Sequence, residues 1–135
     1  MEILFICREN RVRSQMAQAF FNRLSGHASA ESAGTDVGGY EGEPLNEFVV
    51  ACMNDLDVDL SEARTRQLTP AMAAVAGKII SFAPKDRLPG YLKDSRKVIF
   101  WDVEEADENV YIDLARVRDR IKGLVEGLIK ATGHG

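Results

Sequence analysis

The chain has 135 residues, 45% of them hydrophobic and 28% charged, and a formal net charge of −4. That length holds a single core under a small sheet, so residues 1–135 are read as one domain. The acidic balance argues against the broad basic surface that tracks nucleic-acid phosphates, and no apolar run approaches the roughly eighteen residues that span a bilayer. Neither nucleic acid nor membrane is therefore expected as a partner. Ile3–Ile6 is too short, and lacks the basic flank, for a signal peptide. Two cysteines in a chain of this size suit a reducing compartment better than a disulfide scaffold, so a cytoplasmic location is expected.

Ile3-Leu4-Phe5-Ile6 reads as a buried strand, and Arg13 to Leu24 as a helix with Met16, Phe20 and Leu24 stepping along one face. Between them runs Cys7-Arg8-Glu9-Asn10-Arg11-Val12-Arg13-Ser14. Cys7 thus falls at the carboxyl end of a strand, facing the free N–H groups of the next helix, which is where open α/β sheets bind anions. A free thiol, with a pKa of about 8.5, is only slightly ionised at neutral pH, and a helix N-terminus with neighbouring arginines favours the thiolate. Five residues between sulfur and guanidinium let successive backbone N–H groups turn inward as a nest for a tetrahedral oxyanion. Arg13 can clamp two of its oxygens with a planar fork, and Ser14 offers a hydroxyl to the sulfur. Asn10, which tolerates left-handed angles, suits the turn midway. Residues 8–14 are therefore read as an oxyanion-binding loop around a Cys7 nucleophile. Arg8 and Arg11 either add to a local cationic spot or simply face water.

Ser25-Gly26 reads as a helix stop, and Ala28 to Ala33 as a second strand, ending at Gly34-Thr35 before a glycine-rich loop. A helix is expected from Pro44, its stripe formed by Leu45, Phe48, Val49, Cys52, Met53 and Leu56, which makes Cys52 a packing residue. A short alanine-rich turn follows Pro70, then strands over Lys78–Ala83 and Val98–Trp101. From about Asn109 a long helix carries Val110, Leu114, Val117, Ile121, Leu124 and Leu128 as a stripe expected to lie across the sheet. Strands alternating with helices imply an α/β fold with a parallel sheet. His27 and His134 stand far apart and no ligand cluster appears, so no metal and no cofactor are expected.

Leu4-Phe5-Ile6-Cys7, Asn10, Arg13-Ser14-Gln15-Met16-Ala17, Ser32-Ala33-Gly34-Thr35, Gln67-Leu68-Thr69 and Trp101-Asp102 together resemble the low-molecular-weight protein tyrosine phosphatase superfamily, which also includes arsenate reductases. The resemblance covers nearly the whole chain. It implies a four-stranded parallel sheet in the order 2-1-3-4 with helices on both faces, the phosphotyrosine protein phosphatase I-like fold. It further implies Cys7 as nucleophile, Arg13 as transition-state clamp, and Asn10, Ser14 and Ser32 as support of the loop.

The chain departs from the family pattern in three places. Glu9 replaces a glycine in the loop, and Val12 replaces a second cysteine found in many relatives. The acid loop, usually Trp-Asp-x-Pro-Asp-Pro, reads Trp101-Asp102-Val103-Glu104-Glu105-Ala106-Asp107, so Glu105 falls at the position of the general acid, with Asp102 and Asp107 as rivals. Without its prolines this loop is expected to be less rigid. The implied activity is hydrolysis of phosphate monoesters, including protein phosphotyrosine, through a cysteinyl-phosphate intermediate, with Tyr40 and Trp101 as candidate aromatic walls. The alternative is arsenate reduction with an external thiol reductant, since residues 82–89 hold no cysteine for a thioredoxin relay. A non-catalytic anion-binding module is the third reading. The expected ligands are a phosphate or arsenate oxyanion and a phosphorylated substrate.

Overall fold

A computed structural model of the chain describes residues 1–132. Four short strands, β1 (Ile3–Cys7), β2 (Ala30–Gly34), β3 (Lys78–Ser81) and β4 (Val98–Phe100), form one parallel sheet in the order β2-β1-β3-β4. The helices are α1 (Arg13–Ser25), α2 (Glu47–Asn54), α3 (Pro70–Val75) and α4 (Tyr111–Thr132). Among the described residues no helix is long and apolar enough to cross a membrane.

All five β1 residues are buried because both faces of the sheet are covered. Ile3, Phe5 and Cys7 point to one face, where they meet Met16, Phe20 and Phe21 of α1, Val49, Cys52 and Met53 of α2, and Leu114, Val117 and Ile121 of α4. Leu4 and Ile6 point to the other, thinner layer of Leu68, Ala73, Ala76, Leu88 and Leu92. The chain leaves β1 towards β2 and leaves β3 towards β4, so the crevice where the connections diverge lies between the carboxyl ends of β1 and β3. Cys7 ends β1 at that crevice.

Helix boundaries follow local capping chemistry. Gly26 closes α1 in the left-handed conformation expected of it, with φ 76°. Thr69 caps α3 by accepting from the Met72 N–H, with Pro70 at the first helical position. α2 begins at Glu47, not at Pro44, because Asn46 is the capping residue, its side chain accepting from the Phe48 N–H, while Pro44 pairs with Arg64 in an isolated antiparallel bridge. The expected stripe fails at Phe48, which is 42% exposed.

α4 differs in the same way. Val110 precedes it and is exposed, and the buried residues beyond Ile121 are Val125 and Ile129, with Leu124 and Leu128 only half-buried. Val117, Ile121, Val125 and Ile129 form an i+4 row, the ridge a helix presents when it packs on another helix. Its main partner is α1, so α4 lies over a helix as much as over the sheet.

Candidate functional site

The loop after Cys7 is built around one residue. Asn10 adopts φ 59°, a left-handed turn that brings its own N–H back to the Cys7 Sγ at 3.3 Å. Its fully buried side chain ties three segments together. Nδ2 donates to Ser14 Oγ at 2.8 Å and to Ser32 Oγ on β2 at 3.0 Å, while Oδ1 accepts from Gln15 Nε2 at 3.0 Å and from the Arg66 N–H at 2.9 Å. Because Ser14 Oγ accepts from Asn10, its own proton is free to point at the Cys7 Sγ, 3.0 Å away. Ser32 in turn donates to Gln18 Oε1 at 2.6 Å.

The end of β2 holds the loop from behind. Thr35 N–H donates to Cys7 O at 2.9 Å and Asp36 N–H to Arg8 O at 2.8 Å. Gly34 lies so close that a β-carbon there would stand 2.8 Å from Arg8 O and 2.9 Å from Glu9 C, so only glycine lets the two backbones meet. At the start of α1, Val12 supplies no side-chain cap to the first-turn N–H groups.

Arg13 is buried, and carbonyls from the ends of two strand connections fix its head. Nη1 donates to Phe82 O at 3.3 Å and Val103 O at 2.8 Å, and Nη2 reaches Glu105 Oε1 at 3.3 Å. The Glu105 side chain itself is 65% exposed and lines the small cavity of about 50 Å³ over Cys7, together with Glu9, Arg11, Arg13 and Glu108.

The remaining acid-loop carboxylates are directed elsewhere. Glu104 pairs with Arg116 of α4, Asp107 Oδ1 accepts from the Asn109 N–H at 3.0 Å, and Asp102 does not line the Cys7 cavity. The loop is less free than its missing prolines imply. Arg120 Nη2 donates to Asp102 O at 2.8 Å, Arg13 holds Val103 O, and the Val103 side chain is buried.

Of the two uncertain cations, Arg11 does not face water. It forms a forked pair with Glu108, its Nη2 lying 2.7 Å from Oε1, and its guanidinium lies 4.0 Å from the centre of the Tyr40 ring. Asn46 Nδ2 adds a bond to Glu108 at 3.3 Å. Hydrogen bonding to Arg11, outweighing burial, holds the Glu108 carboxyl below the usual range, so Glu108 stays ionised and is unsuited to donate a proton. Arg8 is exposed. Tyr40 sits half-exposed over Arg11, whereas Trp101 turns inward against Phe5 and Phe82.

Gln15, Gln18, Arg66 and Glu108 support the site without having been singled out for it. The signal for two of them was present: Ser14, Gln15 and Gln18 place polar groups on a helix whose neighbours Met16, Ala17 and Phe20 are all buried. Arg66 acts through its backbone, which leaves no mark in the sequence. His134 lies outside the described residues, and among the described ones no three metal-ligating side chains cluster.

Comparison with known proteins places this geometry. The family model described as "Low molecular weight phosphotyrosine protein phosphatase" matches residues 2–134. A probable low molecular weight protein-tyrosine-phosphatase, EpsP, from Ralstonia nicotianae is 36% identical over 78 residues, 58% of this chain and 52% of that one, so the match spans about half the relative's length. Arsenate reductase 2 from Staphylococcus epidermidis is 24% identical over 125 residues, 92% of each chain. Among solved structures, a low molecular weight protein tyrosine phosphatase from T. tengcongensis superimposes with a TM-score of 0.83 at 26% identity, covering 97% of this chain and 99% of the other.

Proposed function

The chain belongs to the low molecular weight phosphotyrosine protein phosphatase family, and we propose that residues 1–135 act as one domain that hydrolyses phosphate monoesters through a phosphorylated Cys7. The observation that carries this reading is the surroundings of the sulfur: the Ser14 hydroxyl at 3.0 Å and the Asn10 N–H at 3.3 Å, at the start of a helix that begins with Arg13. Both groups stabilise a thiolate by hydrogen bonding.

In the first step the Cys7 Sγ attacks phosphorus. The S–P bond forms and the P–O bond to the leaving group breaks, while Arg13 and the loop amides take the charge on the equatorial oxygens. Glu105 gives its proton to the departing oxygen. In the second step Glu105 takes a proton from water, the water oxygen attacks phosphorus, and the S–P bond breaks to release phosphate and the thiolate. The Ser14 hydroxyl assists that departure. Glu105 is favoured over Asp102 and Asp107 because it alone of the three lines the Cys7 cavity. Glu9 takes the rim of the loop, and Arg8 through Ser14 form the phosphate cradle. Tyr40 offers an aromatic edge for an aryl leaving group, and we extend the reading to protein phosphotyrosine on that basis. A cytoplasmic location, with neither nucleic acid nor membrane as partner, completes the proposal; both cysteines are free thiols.

Similarity to arsenate reductases over most of the chain favours a second reading. There the Cys7 thiolate would attack arsenate, the S–As bond forming as one As–O bond breaks and its hydroxide leaves, protonated, as water. An external thiol would then attack the Cys7 sulfur. The electron pair of the S–As bond would pass to arsenic, arsenite would leave, and a second thiol would reduce the mixed disulfide. Cys52 is not suited to this role, being packed in the apolar core on α2. Acid-quenched reaction with an aryl phosphate is expected to trap phosphate on the Cys7 peptide, and thiol-dependent arsenate consumption is expected to be slower than ester hydrolysis under the same conditions. Arsenate reduction without any trapped phosphopeptide or ester turnover reverses the ranking.

A further inference from the structure

The charges around Cys7 are unevenly distributed. The cavity over the sulfur is lined by three carboxylates, Glu9, Glu105 and Glu108, against two guanidinium groups, Arg11 and Arg13. Formally that is −1 before the thiolate is counted, a poor match for a phosphate dianion except through the loop amides and Arg13. A second cavity, of about 270 Å³, adjoins it and shares Arg13 and Glu105. Its floor is residues 82–84, and its other charged lining groups are Arg8 and Arg87. Three guanidinium groups against one carboxylate make it formally +2.

Both added arginines are unneutralised. Among the described residues neither Arg8 nor Arg87 takes part in an ion pair, whereas Arg11, Arg13, Arg66, Arg116 and Arg118 all do. Each is carried by a fixed backbone. Arg8 follows Cys7 directly, its carbonyl bound by the Asp36 N–H. Arg87 ends a 3₁₀ turn over Lys85–Arg87, pinned by the bonds Arg87 N–H to Pro84 O at 2.9 Å and Leu88 N–H to Lys85 O at 3.1 Å, with Leu88 buried below. On the same turn Asp86 is exposed and does not line the cavity, and Asp94 is paired with Lys85, so neither carboxylate cancels the two arginines there. Like charges brought to one concave surface repel each other, and an anion seated between them removes that cost.

We infer that this flank is a second anion subsite, which selects substrates carrying another negative group beside the phosphorylated one. The inference rests on the proposed hydrolysis at Cys7 and specifies its substrate class. The second group is an oxyanion, either a carboxylate or a further phosphate. Seated between Arg8 and Arg87, it turns the leaving group towards the basic flank and away from Glu9 and Glu108.

The test uses three small esters, phenyl phosphate, 3-carboxyphenyl phosphate and 1,3-phenylene bisphosphate, on the wild type and on Arg87→Gln and Arg87→Glu. Arg87 lies outside the phosphate cradle, so turnover of phenyl phosphate is expected to stay within twofold in both variants. With the two doubly anionic esters, kcat/KM is expected to fall about three- to fivefold in Arg87→Gln and further in Arg87→Glu, the size of an exposed charge pair. The loss should shrink as salt is raised. The ranking of the carboxylate against the bisphosphate in the wild type identifies the second oxyanion. Calorimetry of the same esters on Cys7→Ser, with and without Arg87→Gln, separates this inference from the hydrolytic reading. Tighter binding of the doubly anionic esters that depends on Arg87 supports the subsite even where the wild type hydrolyses none of them. Equal losses for all three esters, or no preference in either measurement, overturn it.

Discussion

Cys7 and Cys52 are equally hidden, 3% and 0% exposed, and both face the same hydrophobic layer, yet their sulfurs meet opposite surroundings. Cys7 ends a strand where the backbone turns back on it, and a hydroxyl and an N–H converge on Sγ. Cys52 sits mid-helix on α2, with Arg118 Nη1 at 3.6 Å from sulfur and 2.9 Å from its carbonyl, and burial pushes its thiol upward. Exposure therefore says little about a cysteine. What separates the two is how many polar hydrogens converge closely on the sulfur, two within 3.3 Å at Cys7 against one at 3.6 Å at Cys52, and that a cavity opens on Cys7.

Exchanging each sulfur gives the largest contrast. Cys7→Ser is expected to lower turnover of an aryl phosphate by about 10⁴-fold or more, with the unfolding midpoint nearly unchanged, because serine keeps the hydrogen bonds and loses the nucleophile. Cys52→Ala is expected to leave kcat intact and to cost about 1 kcal/mol in urea unfolding, the loss of one buried atom's packing. A Cys52 variant that lost turnover while remaining folded would place the second sulfur in the chemistry.

The next largest effect lies at Asn10, the residue that gives Cys7 its distinct surroundings. Asn10→Ala removes four buried side-chain bonds and leaves the β-carbon at positive φ without the hydrogen bonds that offset its strain. A loss of about 2–4 kcal/mol is expected, with kcat reduced by about 10²-fold in the molecules that still fold. Asn10→Gly restores the backbone freedom without the amide, so the share of the loss it fails to recover measures the hydrogen bonds alone.

Much of this contrast was legible in the order of residues. A continuous apolar run ending at Cys7, then Asn10, Arg13 and Ser14 ahead of an amphipathic helix, fixes the strand, the turn and the helix start locally. Cys52 on the stripe of α2 read correctly as packing. What stayed hidden depends on distant segments meeting. Nothing in the sequence pairs Arg11 with Glu108, 97 positions away, or brings the Arg66 N–H to Asn10. The burial of Val125 and Ile129 in place of Leu124 and Leu128 has the same origin, since equally apolar neighbours are ranked only by the helix they pack against.

The acid loop extends the comparison to two adjacent glutamates. Glu104 binds Arg116 on α4, and Glu105 reaches Arg13 over the Cys7 cavity. Glu105→Gln is expected to slow esters with poor leaving groups by about 10²-fold and to slow nitrophenyl esters less, because only a basic leaving oxygen needs the proton. Glu104→Gln is expected to change either rate by less than twofold. Reversal of the two results moves the acid to Glu104; equal, small effects in both return Asp102 and Asp107 to candidacy.

The smallest effect concerns pH and again divides the cysteines. Burial raises the Cys52 thiol above its ordinary value, partly offset by Arg118. For an acid raised on folding, the contribution to stability is complete below the unfolded pKa, about 8.5, and is lost as pH rises through the folded value, because only the unfolded chain has released its proton in between. Wild-type stability, measured by urea unfolding from pH 7.5 to 10, is thus expected to fall more steeply than that of Cys52→Ala, by under about 1 kcal/mol across the window. The Cys7→Ser background removes the other thiol from the titration, so the difference between Cys7→Ser and the double variant isolates Cys52. Parallel curves in that background would mean that the Cys52 sulfur ionises as readily in the folded core as in the open chain, and the contrast between the two sites would then rest on access alone.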